Sequence, residues 1–265
     1  MFVTNMKNYP YVIFCSGMTR SASCWSYHTC KYIVGLRVPP EYVTNGYLGE
    51  DDTYVDTCLS IALKASQSAG NEKCVTMFMS HDFGKRSVQM ILNSLAKNVY
   101  TYRDPRDAIA SGMRIDGKGY EVAFSKVEAS LRLFDLFAMD THSLLLQFSD
   151  ILNKPLASTL TIANYLGFDL TNEEINAVHQ RTKHEAIKRR NQQRRDNAHS
   201  RSDIETIDKG LGILKGEPNS APKVENPWRY SALSDNQYAD ATNRLKRWLI
   251  KMNFSISPVP TWKQD

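Results

Sequence analysis

The sequence has no long apolar run, no paired cysteines and almost no surplus charge outside one segment. None of its 265 residues lies in a stretch near the roughly 20 apolar residues that a membrane span needs, so no membrane partner is expected. The first apolar run, Tyr11 to Cys15, stops at Ser16-Gly17 and is too short for a secretory signal. The five cysteines (Cys15, Cys24, Cys30, Cys58 and Cys74) are an odd number without a Cys-x-x-Cys pair. That pattern argues against a disulfide framework and against zinc; no metal site is expected, and reduced thiols in a cytoplasmic protein are. With 10 prolines, 13 glycines, 42% hydrophobic and 23% charged residues, the chain is neither collagen-like, nor disordered, nor a coiled coil.

Positive charge is scarce except in one place. Lys plus Arg is 33 and Asp plus Glu 28, a formal charge of +5. Residues 181–201 hold eight Lys or Arg and two acids, a net of +6, which leaves −1 for the other 244 residues. A generally basic nucleic-acid coat is therefore not expected. The basic segment reads as a local anion site or a solvated face.

Strand-like runs alternate with helical ones. Tyr11 to Cys15, Cys74 to Met79, Asn98 to Arg103 and Ser143 to Phe148 read as strands. Helices are predicted from Cys24 to about Gly35, from Pro105 through Met113, over Tyr120 to Asp140, over Pro155 to Leu166, from Thr171 onward, and over Leu233 to Met252. Asp104 at an N-cap before Pro105, and Gly167 after Leu166, are the clearest boundaries. In Tyr120 to Asp140, Val127, Leu131, Phe134 and Ala138 recur at helical spacing. Gly210 to Pro227 reads as loop. The alternation predicts an α/β fold: one domain over 1–265, a central parallel sheet flanked by helices, and a P-loop-like nucleotide-binding architecture. Ligands of such sheets bind beyond the carboxyl ends of the strands. Three of those ends lead to Gly17–Ser23, His81 and Arg103.

Gly17-Met18-Thr19-Arg20-Ser21-Ala22-Ser23-Cys24-Trp25, between a strand and a helix, suits an anion held by backbone N–H groups. Against the pattern G-x-x-x-x-G-K-[ST], Ala22, Ser23 and Cys24 replace the second Gly, the Lys and the hydroxyl that holds Mg²⁺. A nucleotide kinase is thereby disfavoured. Arg20, Ser21, Ser23 and Trp25 suit a nucleotide phosphate bound without metal.

Val99-Tyr100-Thr101-Tyr102-Arg103-Asp104-Pro105-Arg106-Asp107-Ala108-Ile109-Ala110-Ser111 is more specific. An Arg leaves a strand, Asp-Pro opens a helix, and a Ser follows eight residues after the Arg. Here the sequence resembles the family of sulfotransferases that use 3′-phosphoadenosine 5′-phosphosulfate (PAPS) and release 3′-phosphoadenosine 5′-phosphate (PAP). The resemblance implies that Arg103 and Ser111 bind the 3′-phosphate; a guanidinium fork suits that group. It also brings the first loop into register with the family's phosphosulfate loop. Arg20 then binds the phosphosulfate and meets charge on the leaving oxygen, Ser21 and Ser23 donate hydrogen bonds, and Trp25 stacks on adenine. Ala22 for Gly and Cys24 for a hydroxyl residue depart from the family pattern.

Met79-Ser80-His81 lies where the family has Lys-Thr/Ser-His, so His81 is the implied general base and Met79 replaces a cation. Asp82 and Glu41 are alternative bases. Leu146 to Asp150, Thr182 to Lys188 and Trp228 to Ser234 follow the family's later segments more loosely. Its late Arg-Lys-Gly phosphate clamp has no clean copy; Lys209-Gly210 is nearest in order, with Arg189, Arg190, Arg194 and Arg195 as competitors. The expected reaction is sulfuryl transfer from PAPS to a hydroxyl or amine of a small molecule. The acidic, aromatic stretch Gly46 to Asp56 would suit a cationic acceptor such as an alkaloid-type secondary metabolite. A P-loop kinase and a nucleic-acid-binding module built on residues 181–201 are the competing readings.

Overall fold

The computed structural model describes residues 11–47, 53, 55–57, 60, 64, 75–140, 142–183 and 232–258. Five strands form one parallel sheet in the order β2-β3-β1-β4-β5. They are β1 (Tyr11–Gly17), β2 (Val43–Tyr47), β3 (Val75–Ser80), β4 (Lys97–Tyr102) and β5 (Ser143–Gln147). The helices are α1 (Ser23–Gly35), α2 (Lys85–Leu92), α3 (Pro105–Asp116), α4 (Tyr120–Met139), α5 (Phe148–Asn153), α6 (Pro155–Leu166), α7 (Asn172–Thr182), α8 (Asp235–Arg244) and α9 (Lys246–Lys251). Residues 53, 55–57, 60 and 64 are also helical. The parallel sheet flanked by helices is the architecture expected from the alternating pattern.

Successive residues of the inner strands enter opposite cores. Val12 and Phe14 of β1, Phe78 of β3 and Tyr100 of β4 meet α3, α4, α8 and α9. Ile13 and Cys15, Val75 and Met77, and Val99 meet α1, α6 and α7. A strand covered on both faces has no polar face, so β1 and β3 read as continuous apolar runs. Asn98 is a polar residue of β4 in the interior: it is fully buried, its Oδ1 accepts from Ser16 Oγ at 2.7 Å, and its Nδ2 donates to Ser143 Oγ at 3.2 Å. Those bonds stitch β1, β4 and β5 laterally.

Three elements had no clear sequence signal. β2 is an edge strand written Val-Thr-Asn-Gly-Tyr, with little apolar content. α2 buries fully only Ser87 and Ile91. α5 begins at Phe148, which the apolar run alone would have left in β5. The expected C-terminal helix is also broken: α8 and α9 meet at Leu245, whose φ of −100° and ψ of 6° leave the helical region. Lys209, Gly210, the loop Gly210–Pro227, Trp228–Ser231 and most of 181–201 lie outside the described residues.

Asp104 caps α3 as expected, accepting the Arg106 N–H at 2.9 Å. Its carboxylate also takes a two-pronged bond from the Arg106 guanidinium, at 3.0 and 2.7 Å. Arg106 goes on to donate to Thr242 Oγ1 at 3.2 Å and lies over the Tyr238 ring, so it joins α3 to α8. Both charges are buried, and neither could remain there alone. Arg106→Ala should cost about 3–5 kcal/mol in denaturant unfolding. The double change Arg106→Met with Asp104→Asn should cost less than the single one, because no unpaired charge remains.

Candidate active site

Three strand ends come level. Ser16 pairs with Ser80, and Gly17 with Thr101, so the residues that follow β1, β3 and β4 emerge side by side. Gly17 sits at their meeting point. A Cβ there would lie 2.2 Å from Thr101 Oγ1, 2.7 Å from Thr101 O and 2.8 Å from Ser21 Oγ. Only glycine permits that approach.

The loop after Gly17 is tied back to β4. Met18 N–H donates to Thr101 O at 2.9 Å, and Ser21 N–H to Met18 O at 3.1 Å. Ser21 Oγ lies 2.6 Å from Met18 O, 2.8 Å from Thr101 O and 2.8 Å from Thr101 Oγ1. It is fully buried. Its hydroxyl therefore builds the loop. Arg20 and Ala22 both adopt left-handed backbone, with φ of 67° and 74°. Ala22 occupies the N-cap of α1 and supplies no side-chain cap, so the first N–H groups of α1 open toward the loop. A helix start of this kind favours an anion.

His81 leaves β3 and turns back onto the loop. Its Nδ1 lies 2.9 Å from the Gly17 carbonyl, which can only accept, so Nδ1 carries the proton. Nε2 is then the acceptor, and Ser23 Oγ lies 3.3 Å from it. Burial lowers the His81 pKa; the Gly17 bond and Asp82 raise it, while Arg20 and Lys126 lower it further. The net direction is downward, which favours a neutral ring whose Nε2 lone pair faces the Ser23 hydroxyl.

Arg20 and Ser111 meet although 91 residues separate them, the Arg20 Nε standing 3.5 Å from Ser111 Oγ. Burial lowers the Arg20 pKa, Asp116 opposes this, and Arg103 and Arg114 add to it. Cations thus crowd at this point. Arg103 is 8% exposed and lies over the Phe148 ring. It donates to Arg20 O at 2.8 Å and pairs with Asp107 one turn along α3. Its Nε is buried and has no partner among the described residues. An orphaned guanidinium N–H beside a second arginine suits a phosphate oxygen.

Ser23 is buried beside His81, and Cys24 and Trp25 are half-buried on the first turn of α1. Burial pushes the Cys24 thiol up to about 12, so it is no nucleophile at neutral pH. Glu41 is exposed in a short 3₁₀ turn at Pro40–Tyr42 before β2. Asp82 is exposed next to His81, and its backbone carbonyl takes the Ser80 hydroxyl. Among the described residues no His, Cys, Asp and Glu group could hold a metal ion. No described helix is long and apolar enough to cross a membrane. The roles of Thr101, Asp107 and Lys126 were not visible in sequence; only the fold brings Thr101 to the loop and Lys126 toward His81.

The architecture matches that of solved proteins. A retinol dehydratase in complex with androsterone and inactive cofactor PAP superposes with a TM-score of 0.55 at 16% identity, over 90% of this chain and 80% of that one. A retinol dehydratase complex with retinol and PAP gives 0.54 at 14% identity, over 90% and 81%. A mouse sulfotransferase complexed with PAP gives 0.51 at 13% identity, over 91% and 88%. No family model and no curated protein matches the chain. The chain has the fold of these PAP-bound proteins, the sulfotransferase fold expected from its two loop motifs.

Two outcomes follow from the loop geometry. Gly17→Ala should destabilise the protein by about 1–3 kcal/mol through the clash with Thr101, measured by denaturant unfolding. Ala22→Gly should cause no loss and up to about 1 kcal/mol of gain, because it relieves a left-handed alanine.

His81 supplies a pH test. Its folded pKa lies below the unfolded value, so its contribution to stability is present above pH ~6.5 and is lost as pH falls through the lowered folded pKa. NMR titration of the unliganded protein should show the His81 ring signal titrating below an ordinary histidine.

Proposed function

We propose that this chain is an enzyme, a PAPS-dependent sulfotransferase that transfers a sulfuryl group to a hydroxyl or amine of a small molecule, with His81 as general base. One observation carries the proposal: a histidine with its Nδ1 proton fixed by Gly17 O turns its Nε2 lone pair toward Ser23, the first residue of α1. The base and the anion-binding helix start are therefore one construction. The PAP named in three structures of the same fold supports the cofactor assignment, and the androsterone and retinol bound in two of them support a small-molecule acceptor.

The residues present fit the cofactor. The orphaned Arg103 Nε and the Ser111 hydroxyl are the groups for the 3′-phosphate. The uncapped start of α1 with Ser23, Cys24 and Trp25 is the place for the 5′-phosphosulfate and the adenine. The clamp from Lys209-Gly210 belongs to the same proposal and lies outside the described residues. PAPS supplies an activated sulfuryl group on a phosphate leaving group. His81 Nε2 accepts the acceptor's proton as the acceptor oxygen or nitrogen bonds to sulfur and the bond from sulfur to the phosphate oxygen breaks. Arg20 meets the negative charge that appears on that phosphate oxygen. The donors are in place before reaction, held by Thr101, Asp107 and the Gly17 carbonyl, so little reorganisation is needed.

The free thiols at Cys15, Cys24 and Cys30 support a reducing compartment such as the cytoplasm. A cationic acceptor rests on the acids Glu50, Asp51 and Asp52, outside the described residues; Asp56 is paired with Arg86.

Calorimetry with PAP, AMP and ATP tests the reading. PAP should bind much more tightly than AMP, and Arg103→Ala should weaken PAP by about 2 kcal/mol or more, roughly thirtyfold. His81→Ala should lower turnover of PAPS across an acceptor panel by about a hundredfold or more and spare PAP affinity. Equal binding of PAP and AMP by the wild type would sink the proposal.

A further inference from the structure

Ser21 and Ser23 use their hydroxyls differently. Ser21 turns its hydroxyl onto Met18 O and Thr101. Ser23 Oγ has His81 Nε2, at 3.3 Å, as its one hydrogen-bond partner among the described residues. Ser23 is 4% exposed, so bulk water hardly competes for that hydroxyl. A hydroxyl carries one proton, and a neutral imidazole offers one lone pair. Because the Gly17 carbonyl holds the proton on Nδ1, Nε2 can only accept, and Ser23 is the donor. The lone pair that a general base needs is therefore engaged by the proton that an anion at the start of α1 would take.

Both backbones are held. Ser23 opens α1, where Ser26 N–H donates to Ala22 O at 3.1 Å and Ser26 Oγ donates to Ser23 O at 2.8 Å. His81 follows β3, whose last residue Ser80 is paired with Ser16 of β1. Ser80 Oγ accepts the Asp82 N–H at 3.1 Å and closes the turn around His81, and Nδ1 fixes the ring on Gly17 O at 2.9 Å. The short Ser23 side chain is the part that can turn, from one staggered position to another, without moving the chain.

We propose that Ser23 couples the base to the cofactor: its hydroxyl rests on His81 Nε2 until a phosphosulfate oxygen at the start of α1 takes it, so that cofactor binding uncovers the base. The proposal rests on the sulfotransferase reading and adds to it the residue that makes the two sites depend on each other. The exchange is favourable, because a hydrogen bond to an ionised oxygen is roughly twice as strong as one between neutral groups. When Ser23 turns, the Nε2 lone pair opens to the O–H or N–H of the acceptor. Ser23 Oγ then sets its own lone pairs toward Nε2. That favours the protonated ring and gives its N–H a partner once His81 has taken the acceptor's proton.

The test reads the hydrogen bond directly and needs no turnover. The protein is labelled with ¹⁵N-histidine and observed by NMR at about pH 8, where the His81 ring is neutral. The signal of an unprotonated ring nitrogen lies further upfield when it accepts a hydrogen bond. Asp82, Arg20 and Lys126, which act on the ring, are common to all variants. Without nucleotide, Nε2 of the wild type and of Ser23→Thr should lie upfield of Nε2 in Ser23→Ala. Saturating PAP should move the first two downfield and close most of that gap. The comparison with Ser23→Ala cancels the direct effect of the nucleotide charge on the ring, and the wild-type shift is read without any variant. By calorimetry, Ser23→Ala should weaken PAP about tenfold, and Ser23→Thr should retain most of the affinity. Coincident Nε2 signals in wild type and Ser23→Ala without nucleotide, or a gap that persists with PAP bound, would overturn the coupling alone. Unchanged PAP affinity in Ser23→Ala would do the same. A wild type that binds PAP no better than AMP would overturn the sulfotransferase reading and the coupling with it.

Discussion

The close approach of Gly17 to Thr101 is the constraint on which the site depends. β1 and β4 come together there with no room for a side chain, and the chain must then rise and turn. Ser21 fastens the turn to Thr101 and Met18, which puts Arg20 and Ala22 in left-handed backbone and sets the start of α1 over the strand ends. The Gly17 carbonyl, freed from the ladder at the end of β1, accepts the Nδ1 proton of His81. A single glycine thus shapes the loop and selects the tautomer of His81.

The Arg-Asp-Pro-Arg-Asp run shows how two similar residues take different work. Arg106 points into the core, where Asp104, Thr242 and the Tyr238 ring use its donors. It secures the C-terminal helices to α3. Arg103, one turn earlier, is held by Asp107, the Arg20 carbonyl and the Phe148 ring, yet keeps one buried N–H without a partner. The first arrangement is complete in itself. The second is incomplete, and a buried polar group in that state costs free energy until a ligand fills it. The capping Asp104 serves both, because it starts the helix that carries Arg106, Asp107 and Ser111.

Legibility in sequence followed burial. β1 and β3 were readable because strands covered on both faces are largely apolar, and β4, which mixes apolar and polar residues, because it runs straight into the Asp104-Pro105 helix start. α3 and α7 were readable from their caps, Asp104 before Pro105 and the Thr171–Glu174 box. β2 was not, because an edge strand needs little apolar content, nor was α5, because six residues after a strand carry no period. Within the site, Arg20, Ser23, His81, Arg103 and Ser111 could be named from motif spacing. Ser21 was named too, but its hydroxyl is turned into the loop's own hydrogen bonds.

The sequence by itself determined the strand–helix alternation, the helix starts and the connections that follow β1 and β4, since these depend on residues near one another along the chain. Tertiary structure alone decided which of those residues meet. Arg20 reaches Ser111 across 91 residues, and Ser23 reaches His81 across 58. Such meetings depend on the register of parallel strands, and register comes from packing both faces of the sheet rather than from any local pattern. The same holds for charge: a chain that is near neutral outside one segment brings Arg20 and Arg103 together beside the strand ends only when folded.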